Sequence, residues 1–151
     1  MCVHSSPDRD FAGIFLRQVA CSVPGMATIQ SFRDLLVWQK AMDLACRTYS
    51  AARQLPRNEQ AVLGYELRKT AVSIPSNIAE GASRRSTAFY IQHLWTAHAS
   101  GCELETQLEI GRRVELLQAP QVELLVRDVQ EVEKMLNGLV RSLERADERQ
   151  R

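Results

Sequence analysis

The sequence has no charge of one sign to spare. Nineteen Lys and Arg stand against eighteen Asp and Glu, a formal net charge of +1. A nucleic-acid surface would therefore need local clustering, or symmetry that repeats a small patch. No apolar run approaches the ~20 residues of a membrane span. No alternating strand pattern or hairpin signal is present, and neither is a Gly-rich phosphate loop or a nucleophile motif. The four cysteines, at 2, 21, 46 and 102, form no C-x-x-C pair, and no histidine is read at a zinc-ligand spacing from them. Cys46 and Cys102 fall on helical, partly apolar positions and are expected to be buried free thiols.

What is present is helical. Segment 31–55 opens on Ser31, with Asp34 three residues on as a short capping-box acid. Leu35, Trp38, Met42, Ala45, Tyr49 and Ala52 follow at alternating spacings of three and four, the seam of a bundle helix, and Val37, Ala41 and Leu44 form a second strip beside it. Pro56 stops the helix. Segment 58–81 starts at Asn58 and carries Leu63, Leu67, Ala71, Ile74 and Ile78 on one stripe, with Gly81 as its C-terminal stop. Segment 86–113 aligns Tyr90, Leu94, Ala97, Gly101, Leu104 and Leu108. A fourth helix begins at Pro120 and keeps heptad spacing through Val122, Leu125, Val129, Val132, Leu136, Leu139 and Leu143. Short connections between such helices predict an all-α, antiparallel up-down-up-down four-helix bundle over residues 26–146. Residues 147–151 are a charged tail. Residues 1–25 show no sustained period, and Met26 reads as the natural start; a short amphipathic helix at 10–20 is the alternative. Asp8, Arg9 and Asp10 before the apolar stretch, and Arg17 within it, argue against a signal peptide.

The segment from Ser73 to Gly81 is unusual. Pro75 inside a helix removes one hydrogen bond and clashes with the carbonyl of Ala71, at a cost of about 3 kcal/mol in a plain helix. Ser73, Ser76 and Asn77 have short polar side chains able to bond freed backbone groups, so a kink near 71–75 is expected, not a break. Glu80 lies at the helix end where the dipole disfavours an acid, and Arg84 or Arg85 is its nearest ionic partner in sequence.

Chemistry finds little support. A ferritin-like site needs Glu-x-x-His pairs, which the chain lacks. His93 and His98 are five apart and diverge by ~140° around a helix. His98 is expected to be a packing histidine and His93 a surface one. Cys102 has no predictable base. No enzyme activity, cofactor or metal is expected. Arg57, Arg68, Lys69, Arg84, Arg85, Arg112 and Arg113 are the candidate nucleic-acid contacts, with Arg57 and Arg112-Arg113 at one end of the bundle and Arg84-Arg85 at the other. Val37, Trp38, Ala41 and Leu44 are the candidate oligomer interface.

Phe32-Arg33-Asp34-Leu35 with Val37-Trp38-Gln39-Lys40-Ala41 resembles the opening of the 23S rRNA intervening sequence protein family. The run Ser73-Ile74-Pro75-Ser76-Asn77-Ile78-Ala79-Glu80-Gly81, followed by Arg84, is similar to that family's most characteristic motif, and Glu103-Leu104-Glu105-Thr106-Gln107-Leu108 resembles its third-helix signature. The likeness covers about Thr28 to Leu143. Where relatives tend to have Gly-Tyr near the third-helix end, this chain has Val114-Glu115-Leu116. The resemblance implies a cytoplasmic, non-enzymatic bundle that assembles as a homopentamer. A related branch resembles the accessory protein of diversity-generating retroelements, which implies RNA or DNA binding and a polymerase-type protein partner. Two readings follow: an oligomer that binds nucleic acid weakly or scaffolds a nucleic-acid-processing complex, and a protein-docking module with no nucleic-acid binding.

Overall fold

The computed structural model describes residues 31–83 and 86–149. Residues 1–30, Arg84 and Arg85 lie outside the described residues, and with them the expectations placed on the N-terminal segment and on that arginine pair. Helix α1 spans Leu36–Ala52, a single turn α2 spans Arg57–Gln60, α3 spans Leu63–Ser83, α4 spans Thr87–Arg113 and α5 spans Ala119–Glu148. No strand occurs among the described residues. The four long helices form a bundle in which α1 packs on α3 and α5, and α4 packs on α3 and α5. No described helix is long and apolar enough to cross a membrane.

The Ser31–Asp34 capping box forms, with Arg33 N–H donating to Ser31 Oγ at 3.0 Å and Ser31 N–H donating to Asp34 Oδ2 at 2.9 Å. It caps a 3-10 turn over Phe32–Asp34 and not the helix itself, because Leu35 is extended and α1 begins one residue later. The expected second helix is two elements. Asn58 sits inside the single turn α2, and α3 starts afresh at Leu63, running unbroken through Pro75 to Ser83. Gly81 is thus within the helix. Its role is close packing: a Cβ there would lie 2.7 Å from Tyr90 Cδ2 and 2.8 Å from His93 Cβ, closer than atoms can sit.

The core takes Leu67, Ala71, Ile74 and Ile78 from α3, Leu94, Ala97, Leu104 and Leu108 from α4, and Val129, Leu136 and Leu143 from α5. On α5 the late core position is Val140, with Leu139 half-buried. On α1 both strips contribute to the core. Val37, Ala41, Leu44, Thr48 and Ala51 face inward together with Leu35, Ala45 and Ala52, while Trp38 is half-buried and Met42 and Tyr49 are exposed. The strips differ by one residue, ~100° of rotation, so spacing alone does not choose between them. The inner strip carries the smaller side chains, and Thr48 enters the core because its hydroxyl donates to the Leu44 carbonyl at 2.9 Å.

Residue pairings fix how the helices run. Gln107 bonds Thr70 at 3.0 Å, Ser100 bonds Ser73 at 2.9 Å and His93 bonds Asn77 at 3.2 Å, so α4 descends as α3 rises. Lys40–Glu131 at 2.9 Å and Arg47–Asp128 at 2.8 Å tie α1 to α5.

Candidate functional site: an apolar groove and a polar ladder on the two flanks of α3

The flank of α3 toward α1 is open. Phe32, Trp38, Met42, Tyr49, Val72 and Pro75 line a groove of about 650 Å³ there. Phe32 and Trp38 meet edge to face with ring centroids 5.3 Å apart, which fixes the rim. Met42 and Tyr49 are each 38% exposed and Val72 41%, an apolar surface that the described residues do not cover. Of the four candidate interface residues, only Trp38 belongs to it. Val37, Ala41 and Leu44 are in the core, so that expectation is corrected for these three.

The flank toward α4 is closed and polar. Asn77 Nδ2 donates to the Ser73 carbonyl at 2.9 Å and lies 3.1 Å from Ser73 Oγ, and Ser73 Oγ shares a hydrogen bond with Ser100 Oγ. His93 Nδ1 faces Asn77 Oδ1 at 3.2 Å, with its Nε2 3.7 Å from Glu80. The short polar residues around Pro75 therefore reach across to α4. His93, expected at the surface, is half-buried in this ladder. Tyr90 beside it is buried, and burial pushes its phenol well above the ordinary value.

The candidate basic residues are mostly engaged. Arg68 is half-buried and donates to Gln60 Oε1 at 3.0 Å and to the Gln60 carbonyl at 2.8 Å. Gln60 in turn donates to the Ala52 and Leu55 carbonyls at the end of α1, so Arg68 braces a turn. Arg112 and Arg113 both clasp Glu109 at 2.7 Å; hydrogen bonds first from Arg112, then from Arg113, hold its carboxyl down at about 2. Lys69 faces Glu66 at 3.5 Å and Arg57 is exposed. Arg68 is thus engaged within the chain, and the arginine pair presents its charge beside a carboxylate.

Sequence reasoning missed a second constellation. Cys46 and Cys102 are exposed, contrary to expectation, and Cys102 Sγ lies 3.7 Å from His98 Nδ1 and 3.3 Å from Glu133 Oε1. The four-residue step from His98 to Cys102 was a visible signal, since it stacks both side chains on one helix face.

The family model for the 23S rRNA-intervening sequence protein matches residues 33–138. A crystal structure from Bacteroides thetaiotaomicron, described as a protein with unknown function from the S23 ribosomal protein family, superimposes with a TM-score of 0.65 at 29% identity, covering 70% of this chain and 98% of that one. None of the curated proteins matches. With its helical bundle and a family match that takes in the groove and the ladder together, the chain belongs to the 23S rRNA-intervening sequence protein family.

Proposed function

We propose that the protein is a non-catalytic, cytoplasmic assembly module whose groove between α1 and α3 seats a neighbouring copy of the same chain. The apolar face of Trp38, Met42, Tyr49 and Val72, left uncovered by the described residues, carries this reading. A second apolar surface supports a like partner. Phe89 is 58% and Trp95 47% exposed on α4, a helix that contributes nothing to the groove. Two different patches on one chain suit a head-to-tail contact that closes into a ring, in keeping with the homopentamer that the resemblance implies.

Nucleic-acid binding is the subordinate part of the reading. Among the described candidates Arg57, Lys69 and Arg113 are exposed, and Lys69 and Arg113 each sit beside a carboxylate, so any such binding depends on ring symmetry bringing several copies together, and on Arg84 and Arg85. It would be weak, salt-sensitive and indifferent to sequence.

Light scattering on the full chain at low and high salt, with and without a short mixed-sequence RNA, tests both parts. A multi-subunit particle is expected at either salt, and Met42→Glu with Val72→Glu should reduce it to a monomer with unchanged helical circular dichroism. A monomeric wild-type chain, or an assembly indifferent to the double substitution, overturns the groove assignment. Mass gained from RNA only at low salt, and lost when Arg57, Lys69, Arg84 and Arg85 are replaced, adds nucleic acid to the function. No gain leaves a protein scaffold.

A further inference from the structure

Helices α4 and α5 bring three different donor types to one point. His98 and Cys102 occupy successive turns of α4, and Glu133 and Asn137 occupy successive turns of α5 opposite them. A ring nitrogen of His98, Cys102 Sγ and a Glu133 oxygen all lie within 4.8 Å of one another, with Cys102 Sγ 3.7 Å from His98 Nδ1 and 3.3 Å from Glu133 Oε1. In a tetrahedral zinc site, bonds of ≈ 2.3 Å to sulfur and ≈ 2.0–2.2 Å to nitrogen or oxygen set neighbouring ligand atoms about 3.3–3.6 Å apart. Two edges of that tetrahedron are therefore already drawn to within a few tenths of an ångström.

The surroundings fit the same purpose. A Cβ on Gly101 would lie 2.9 Å from Glu133 Oε1, so the glycine makes room for the carboxylate to reach across. Asn137 Nδ2 sits 3.3 Å from His98 Nε2, which accepts from it in this arrangement. Metal binding through Nδ1 calls for the amide to turn over, so that Asn137 Oδ1 accepts from Nε2–H and the Nδ1 lone pair is bare, as outer partners of metal-bound histidines arrange it. Cys102 is exposed while His98 and Glu133 are half-buried, so an ion has an open approach to a partly enclosed set.

We infer that His98, Cys102 and Glu133 form a three-ligand site for a borderline-soft divalent cation, zinc foremost, with a water in the fourth position. One nitrogen, one sulfur and one carboxylate disfavour magnesium and calcium, which take oxygen ligands. On binding, the ion takes the place of the proton that Cys102 shares with Glu133; that proton leaves to solvent and the sulfur ligates as thiolate. A cysteine nucleophile is the competing use of the same residues, and metal titration separates the two. The site lies away from the groove and does not depend on its occupant.

Metal-free full-length protein titrated with cobalt(II), followed by competition with zinc, tests the site. One ion per chain is expected, with a thiolate-to-cobalt absorption band and release of about one proton per ion. Cys102→Ser should remove the band, and His98→Ala and Glu133→Gln should each weaken zinc by more than the roughly 10–100-fold typical of losing an outer partner. Asn137→Leu should fall within that range. Cys46→Ser should change nothing. Because Cys102→Ser is nearly isosteric, unchanged circular dichroism separates loss of the ion from loss of the fold. Failure to take up zinc, or uptake that Cys102→Ser leaves intact, overturns the inference.

Discussion

Helix α3 has two flanks built on opposite principles. Toward α4 it offers Thr70, Ser73, Asn77 and Gly81, small or polar residues that let the two helices approach closely and bond across. Toward α1 it offers Val72 and Pro75, which with Trp38, Met42 and Tyr49 leave an apolar trough. Hydrogen-bonded rungs are directional, so the α4 flank fixes the register of one helix against the other. Dispersion contacts are not directional, so the α1 flank can accept another surface. One helix therefore serves both as a locked joint and as a docking edge.

The closed flank should be the more sensitive to change. Gly81→Val places methyls where the Tyr90 ring and the His93 Cβ already sit, and a loss of about 2–3 kcal/mol is expected in urea unfolding. A loss below about 0.5 kcal/mol would show that α3 and α4 part easily, and the contrast between the flanks would collapse. Asn77→Ala removes the middle rung and leaves His93 Nδ1 short of a partner, for about 1–2 kcal/mol by the same assay.

The far end of the same α3–α4 hairpin allows a change of opposite sign. Glu115 has φ 59°, the left-handed region that favours glycine. It follows α4 in a Schellman turn, with Leu116 N–H donating to the Gly111 carbonyl at 2.9 Å and Glu115 N–H to Arg112 at 3.1 Å. Glu115→Gly should stabilise the chain by about 1 kcal/mol, read as a higher urea midpoint. Val114-Glu115-Leu116 thus forms a turn that carries backbone strain at Glu115.

On the open flank, Val72→Ser should alter the stability of the dissociated chain by no more than about 0.5 kcal/mol, because the side chain is already in contact with solvent. A loss as large as that from Asn77→Ala would mean the groove is part of the core. The smallest effect is electrostatic. Glu109, held at about 2 against an ordinary 4.5, contributes stability that is fully present above 4.5 and is lost as pH falls through about 2. Its NMR titration should return toward the ordinary value when Arg112 and Arg113 are both changed to Gln. Since the pair is exposed, unfolding midpoints at neutral pH should barely move.

Much of the fold was legible in the residues themselves. The 3.6-residue period put Leu67, Ile74, Leu94, Leu104, Val129 and Leu136 on inward stripes, and all six are buried. Pro56 and Pro120 marked boundaries because a proline can follow or begin a helix at little cost. The candidate basic site was less legible. A list of arginines shows charge but not the acceptor each one finds; Gln60 for Arg68 and Glu109 for Arg112 and Arg113 are revealed only by geometry.

Sequence by itself determined that helices form and, at Pro56 and Pro120, where one ends and another begins, because periodicity and prolines act within a turn or two of chain. Tertiary structure decided which residues of the two adjacent strips on α1 face the core, since both satisfy the same spacing and only the neighbouring helices leave Met42 and Tyr49 outside while burying Leu35, Ala45 and Ala52. It also decided that Glu133 meets Cys102 across 31 residues and that Gly81 serves close approach and not termination. These are contacts between helices, and a local pattern carries no information about what will stand opposite it.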